Sequence, residues 1–226
     1  MTRTPIGSVR STSAMAKGRV TLSREDVVVA AGRLLDETGI DGLSMRSLAR
    51  TLGTGPATLY WHVRDRDELL AAVLDDTLSA VEVPADGGWQ ECLLTLSERM
   101  RAALLPRPAL VTVLWGASWR LGPTTLRLAD ETIALVAASG LPDDEVADAY
   151  LALIWFVLGF VHAESQAEAN AGFAAHEPPG SYPHLSRFNP STDPAAMHRR
   201  FTGGLRHLLA GIAEQAGQHR TEGLRP

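Results

Sequence analysis

Apolar residues in this chain return every three or four positions, and no stretch alternates apolar with polar for long enough to build a strand. That periodicity confines the fold to the all-α class. Glycine and proline cut the first part into short pieces. From Leu22 onward, Val27, Ala31, Leu34 and Thr38 form one stripe, and Gly39 stops it. Asp41-Gly42 is a turn signal. Ser44 can cap a second helix with Met45, Leu48, Ala49 and Leu52 on one side, and Gly53 ends it. Gly55-Pro56 follows, and proline suits a first helical turn because its missing N–H has no partner there. A short third helix runs to about His62, and Asp65 can cap a fourth that carries Leu70, Val73, Leu74, Thr77 and Val81.

Residues 84–88 (Pro-Ala-Asp-Gly-Gly) break the pattern. Beyond them the spacing predicts helices over 89–104, 107–116, 122–139 and 143–166, and a last one over 195–217. Five prolines with Gly172 and Gly180 mark 172–194 as a long loop. Residues 1–20, rich in Ser, Thr, Arg and Gly, read as a flexible basic arm. The domains expected are this arm, a helix-turn-helix unit over 21–67 and a helical domain over 68–226.

Apolar residues at 45% and charged residues at 21% are the balance of an ordinary globular chain, which excludes a disordered one. A single cysteine, Cys92, excludes an internal disulfide and a Cys-rich zinc site. The longest apolar run, Ala149 to Val161, is shorter than a bilayer span, and no signal-peptide core opens the chain. The expectation is a soluble, cytoplasmic protein.

The net charge of −5 argues at first against a nucleic-acid partner. Its distribution reverses that argument. Residues 1–66 hold ten Lys+Arg against six Asp+Glu, and the remainder holds eleven against twenty. The tight Gly-containing turn between the second and third helices is what a helix-turn-helix requires. The third helix carries Thr58, Tyr60, Trp61 and His62, with Arg64 and Arg66 behind them. Tyr60 and Trp61 could also be core aromatics, but so short a segment cannot bury the whole cluster.

Residues 22–74 resemble the N-terminal domain of the tetracycline-repressor (TetR) family of bacterial transcription factors. The resemblance rests on Leu-Leu-Asp-Glu-Thr-Gly-Ile-Asp-Gly-Leu-Ser (34–44), Arg46, Leu48-Ala49, Leu52-Gly53, Leu69-Leu70 and above all Thr-Leu-Tyr-Trp-His-Val (58–63). It implies that Arg46 reads a guanine, as a guanidinium fork suits that base's two major-groove acceptors. It also implies that Thr58, Tyr60, Trp61 and His62 touch phosphates and base edges, and that Arg66 meets a phosphate unless it is a solvated surface residue. Pro56 and Ala57 stand where the tetracycline repressor has Gln-Pro. Losing that adenine-reading amide implies a different operator.

The resemblance continues more weakly to about residue 166, through Trp89-Gln90, the stretch Arg101 to Arg107 and Leu158-Gly159-Phe160-Val161. It implies a domain that binds a small molecule and forms a homodimer. The helix over 149–161 is apolar all round, so it is buried either in its own core or between two protomers. The seam expected uses Tyr150, Ile154 and Val157 with the stripe Phe201, Leu205, Leu208 and Ile212, as a four-helix bundle between protomers. At the positions that grip a magnesium–drug chelate in the tetracycline repressor this chain has Leu96, Val113 and Ala163, and Met100 stands where that repressor has a pocket phenylalanine. A hard cation needs oxygen ligands, so no metal and no cofactor is expected. Trp89, Leu93, Leu96, Met100, Val113, Trp115, Trp119 and Trp155 are candidate walls for an apolar or aromatic effector, though the same residue types also fill cores.

The function expected is a homodimeric, ligand-responsive repressor on a palindromic operator. An activator or an effector-independent regulator of the same fold is the alternative. An enzyme is the remote one. No nucleophile constellation, phosphate loop or metal cluster is visible, and His176, His184 and His219 are scattered in loop or tail contexts.

Overall fold

Helices account for the architecture of the computed structural model, which describes residues 22–115, 121–167 and 191–222; among these no strand occurs. The arm expected over 1–20 lies outside the described residues. So does most of the loop expected over 172–194, with His176 and His184, although Pro194 already opens the last helix.

Helix α1 (Arg24–Gly42) starts at Ser23, whose hydroxyl accepts from Asp26 N while the Asp26 carboxylate accepts from Ser23 N. Its regular turns end at Gly39, which takes φ 69°. Helix α2 (Met45–Thr51) begins on a reciprocal Ser44–Ser47 pair. It ends in a Schellman turn, Thr54 N to Ala49 O (2.9 Å) and Gly53 N to Arg50 O (3.2 Å), that Gly53 permits at φ 63°. Helix α3 (Pro56–Leu59) has proline in its first turn. Helix α4 (Arg66–Thr77) is capped by Asp65.

The second part holds α5 (Trp89–Leu104), α6 (Val111–Trp115), α7 (Pro123–Ala137), α8 (Asp143–Ser165) and α9 (Pro194–Glu222). The single helix expected over 107–116 is instead a 3-10 turn, Pro108–Leu110, running into α6. Arg107, at φ −131° and ψ 58°, breaks the helical geometry just before Pro108. Helix α8 as a whole is long and apolar enough, by length and composition, to cross a membrane. That changes the reading of its 13-residue run, but here α8 packs against α5, α7 and α9. One hydrophobic core continues from Val27 and Leu48 through Leu70 and Val73 of α4 to Leu93 and Phe201, so α4 belongs to both halves.

Candidate nucleic-acid interface and an inner cavity

Leu59 and Val63 are sealed in the core of the first three helices, and they hold the segment from Pro56 to Val63 in place. Between these anchors the chain tightens into turns, His62 N bonding Leu59 O at 2.9 Å and Val63 N the same oxygen at 3.0 Å. Tyr60 and Trp61 are thereby forced outward, with 54% and 87% of their surfaces exposed. A surface tryptophan so bare is unusual in a fold that has room to bury one. Pro56 and Ala57 are exposed, and Thr58 and His62 are half-buried on the same segment. Arg46 is exposed in the first turn of α2, and its side chain makes no hydrogen bond or ion pair among the described residues. The reading that Tyr60 and Trp61 are core aromatics is excluded.

Arg66 is placed differently from a bare phosphate contact. Its Nε donates to Leu43 O at 2.8 Å and its Nη2 donates to Ile40 O, so it closes the orphan carbonyls behind α1. The exposed guanidinium is Arg64, which donates through Nε and backbone N to Glu68 Oε2, both at 2.9 Å. Arg24 reaches the other oxygen of Glu68 at 3.5 Å. The hydrogen bonds from Arg64 hold the Glu68 carboxyl below its ordinary range. This cluster fixes the corner where the exposed aromatic turn joins α4.

A cavity of about 80 Å³ lies among the end of α4 and helices α5, α6, α7 and α8. Met100 and Trp155 line it, as does the face Thr125, Leu128, Ala129 and Thr132 of α7, whose helical spacing is visible in the sequence but carries no mark of a cavity. Tyr150 and Ile154, expected at a dimer seam, line it too. Burial raises the Tyr150 phenol above its usual pKa. Leu93 and Leu96 are fully buried in the core and do not line the cavity, and Trp89 and Val113 pack half-buried against that core without lining it. The Trp115 side chain and all of Trp119 lie outside the described residues.

The seam stripe also needs correction. Val157, Phe201, Leu205 and Ile212 are each 3% exposed or less inside one protomer, so their side chains have no surface left for a second chain. Phe201 packs on Phe156 and Phe160, with the Arg101 guanidinium 5.3 Å from its ring centre. Leu208 is half-buried. Glu164 forms a two-pronged pair with Arg101, Nε to Oε2 at 2.8 Å. Among the described residues no three of His, Cys, Asp and Glu cluster as metal ligands.

Residues 27–73 match the family model "Bacterial regulatory proteins, tetR family", and residues 83–216 match "Tetracyclin repressor-like, C-terminal domain". An HTH-type transcriptional regulator of Saccharopolyspora erythraea is 32% identical over 87% of this chain and 86% of its own length. The Streptomyces coelicolor TetR family protein ActR, solved in complex with actinorhodin, is 33% identical with a TM-score of 0.76 over 88% of this chain and 99% of its own. BioQ, solved with its double-stranded DNA operator, is 29% identical with a TM-score of 0.66 over 85% and 99%.

Proposed function

The chain belongs to the TetR family of bacterial transcriptional regulators, and we propose that it acts in the cytoplasm as a homodimeric repressor, holding a palindromic operator until an aromatic, largely apolar effector enters the α7–α8 cavity. It is a regulator and not an enzyme.

The observation that carries the DNA reading is the outward pair Tyr60 and Trp61 on a turn pinned by Leu59 and Val63. An exposed hydrogen-bonding and aromatic edge, with the exposed Arg46 on the preceding helix, is what a major groove accepts. BioQ with its operator supports the same use of this fold here. In the dimer the two edges lie about 34–36 Å apart, one turn of B-DNA. The exposed Trp155 on α8 and half-buried Leu208 on α9 supply apolar surface for a seam between protomers, replacing the buried stripe expected from the sequence.

The effector reading rests on the cavity's chemistry. Its wall is aliphatic and aromatic, and the polar groups that reach it are the Tyr150 phenol and two threonines, Thr125 and Thr132. That set favours a ring system carrying one or two hydroxyl or carbonyl groups. ActR bound to actinorhodin supports this class of molecule. At about 80 Å³ the cavity is smaller than the roughly 300 Å³ of ordinary ligand pockets, so entry must spread the helices that line it. The effector releases DNA only if it prefers the spread state.

The test is selection of palindromic duplexes from a random library, followed by titration at several salt concentrations. Tight binding to one palindrome with a steep salt slope is expected. No sequence preference over random DNA would refute the reading. Light scattering of the free protein must give twice the chain mass. A thermal-shift screen of polycyclic phenols and quinones, with and without Mg²⁺, then tests the effector class, and stabilisation only with Mg²⁺ would overturn the metal-free pocket.

A further inference from the structure

Helix α7 has no N-terminal cap of its own, because Gly122 stands at the cap position without a side chain. The cap comes from another helix. The Asp75 carboxylate, on the last turn of α4, accepts from Thr125 N at 2.8 Å, Thr125 Oγ1 at 3.0 Å and Thr124 N at 3.2 Å. A negative group at a helix N-terminus satisfies otherwise orphan N–H donors and opposes the positive end of the dipole. Gly122 keeps the approach open, since a Cβ there would collide with Asp75 Cγ.

Thr125 has two neighbours at once. Its hydroxyl and amide serve Asp75, and its side chain also lines the cavity, next to Leu128 and Thr132 on the same face of α7. Leu78, one turn beyond Asp75, lines the cavity from the α4 side. A molecule that pushes α7 outward must therefore either drag the end of α4 or break three hydrogen bonds. The far end of α4 begins at Asp65, directly behind the exposed aromatic turn, and its middle packs on α1.

We infer that the Asp75–Thr125 joint is the positioning contact through which the cavity controls the DNA-reading turn. This rests on the cavity being the effector site. A displacement of α7 reaches α4 through a charge-assisted cap rather than through loose apolar packing, so the response depends on these two residues. A second link, from Arg107 to Asp36 and Thr77, ties the α5–α6 connection to α1 and α4, and it touches no cavity residue.

The test needs no known effector, because the cavity can be filled from within. Ala129 lines it, and Ala129→Phe imposes the outward push on α7. The probe is the palindromic duplex selected with the wild-type protein, read by fluorescence anisotropy, with circular dichroism confirming the fold of each variant. Ala129→Phe is expected to weaken DNA binding about tenfold or more. In an Asp75→Ala background, which removes the acceptor of all three hydrogen bonds, the same filling is expected to cost about threefold or less. Equal losses in the wild-type and Asp75→Ala backgrounds would overturn the joint. An unchanged affinity for a folded Ala129→Phe would instead defeat the cavity reading on which it stands. Where Phe unfolds the chain, Ala129→Leu takes its place with the same outcomes.

Discussion

Arg107 grips Asp36 with two parallel hydrogen bonds across the boundary between the DNA-reading helices and the rest of the chain, Nε to Oδ1 at 2.7 Å and Nη2 to Oδ2 at 2.8 Å. Its remaining nitrogen donates to Thr77 Oγ1 at 3.0 Å. The hydrogen bonds to Asp36 raise the guanidinium pKa further. Gly32 makes the flat seat possible, since a Cβ there would come within 3.3 Å of Arg107 Nη2. Lysine keeps the charge but cannot make the fork. Arg107→Lys is expected to lower stability by about 1 kcal/mol, the pair being partly exposed. Urea denaturation measures it, and an unchanged midpoint would mean that the pair contributes nothing to holding the two halves together.

Trp61 separates stability from recognition. Its side chain is 87% exposed, so Trp61→Ala leaves the urea midpoint within about 0.5 kcal/mol of wild type. DNA affinity is expected to fall by about 1–3 kcal/mol, a range shared with Arg46→Ala. The two variants should differ in kind. Arg46→Ala relaxes preference at one base position, whereas a purely phosphate-directed contact weakens all sequences alike. Binding profiles over single-base variants of the selected palindrome distinguish them.

Glu68 makes a pH-dependent contribution. Its folded pKa is depressed, chiefly by the hydrogen bonds from Arg64. The stabilisation is therefore present above the carboxylate's ordinary value and is lost as pH falls through the lower folded value. Glu68→Gln is expected to cost about 1 kcal/mol at pH 7, and the gap is expected to narrow as pH falls below the ordinary carboxylate range. Denaturation at a series of pH values reads the difference directly. A gap that stays constant down to pH 3 would assign the effect to lost packing instead.

The helices of the DNA-reading half were legible because each is bounded by local chemistry: Ser23, Ser44, Gly53, Pro56 and Asp65 act within a few residues of themselves. The neighbours of α8 were not. A helix apolar on every side carries no mark of which face meets which partner, so the sequence does not reveal that Tyr150 and Ile154, expected at a seam, also line the cavity. The stripe of α9 was read correctly as apolar, but its partners are α5 and α8 of the same chain. The roles of Asp75, Arg107 and Glu164 depend on contacts between residues 30 or more apart in sequence, which no local pattern records. For Arg66 the charge was visible, and the carbonyls of Ile40 and Leu43 that occupy it were not.

The Arg101–Glu164 pair joins α5 to α8 with side chains only 12% and 10% exposed. Ions taken this far from water lose much hydration, and their attraction returns it only while both are present. Removing one partner should therefore be worse than removing both. Glu164→Gln leaves Arg101 charged beneath Phe160 and Phe201, with the nearer ring centre 5.3 Å away, and is expected to cost about 3 kcal/mol. The double change Arg101→Met with Glu164→Leu replaces the pair by apolar groups of similar length and is expected to recover most of that loss. Urea denaturation of the two variants against wild type decides it. A double variant less stable than Glu164→Gln would show that the pair itself, rather than the absence of an unpaired charge, holds α5 to α8.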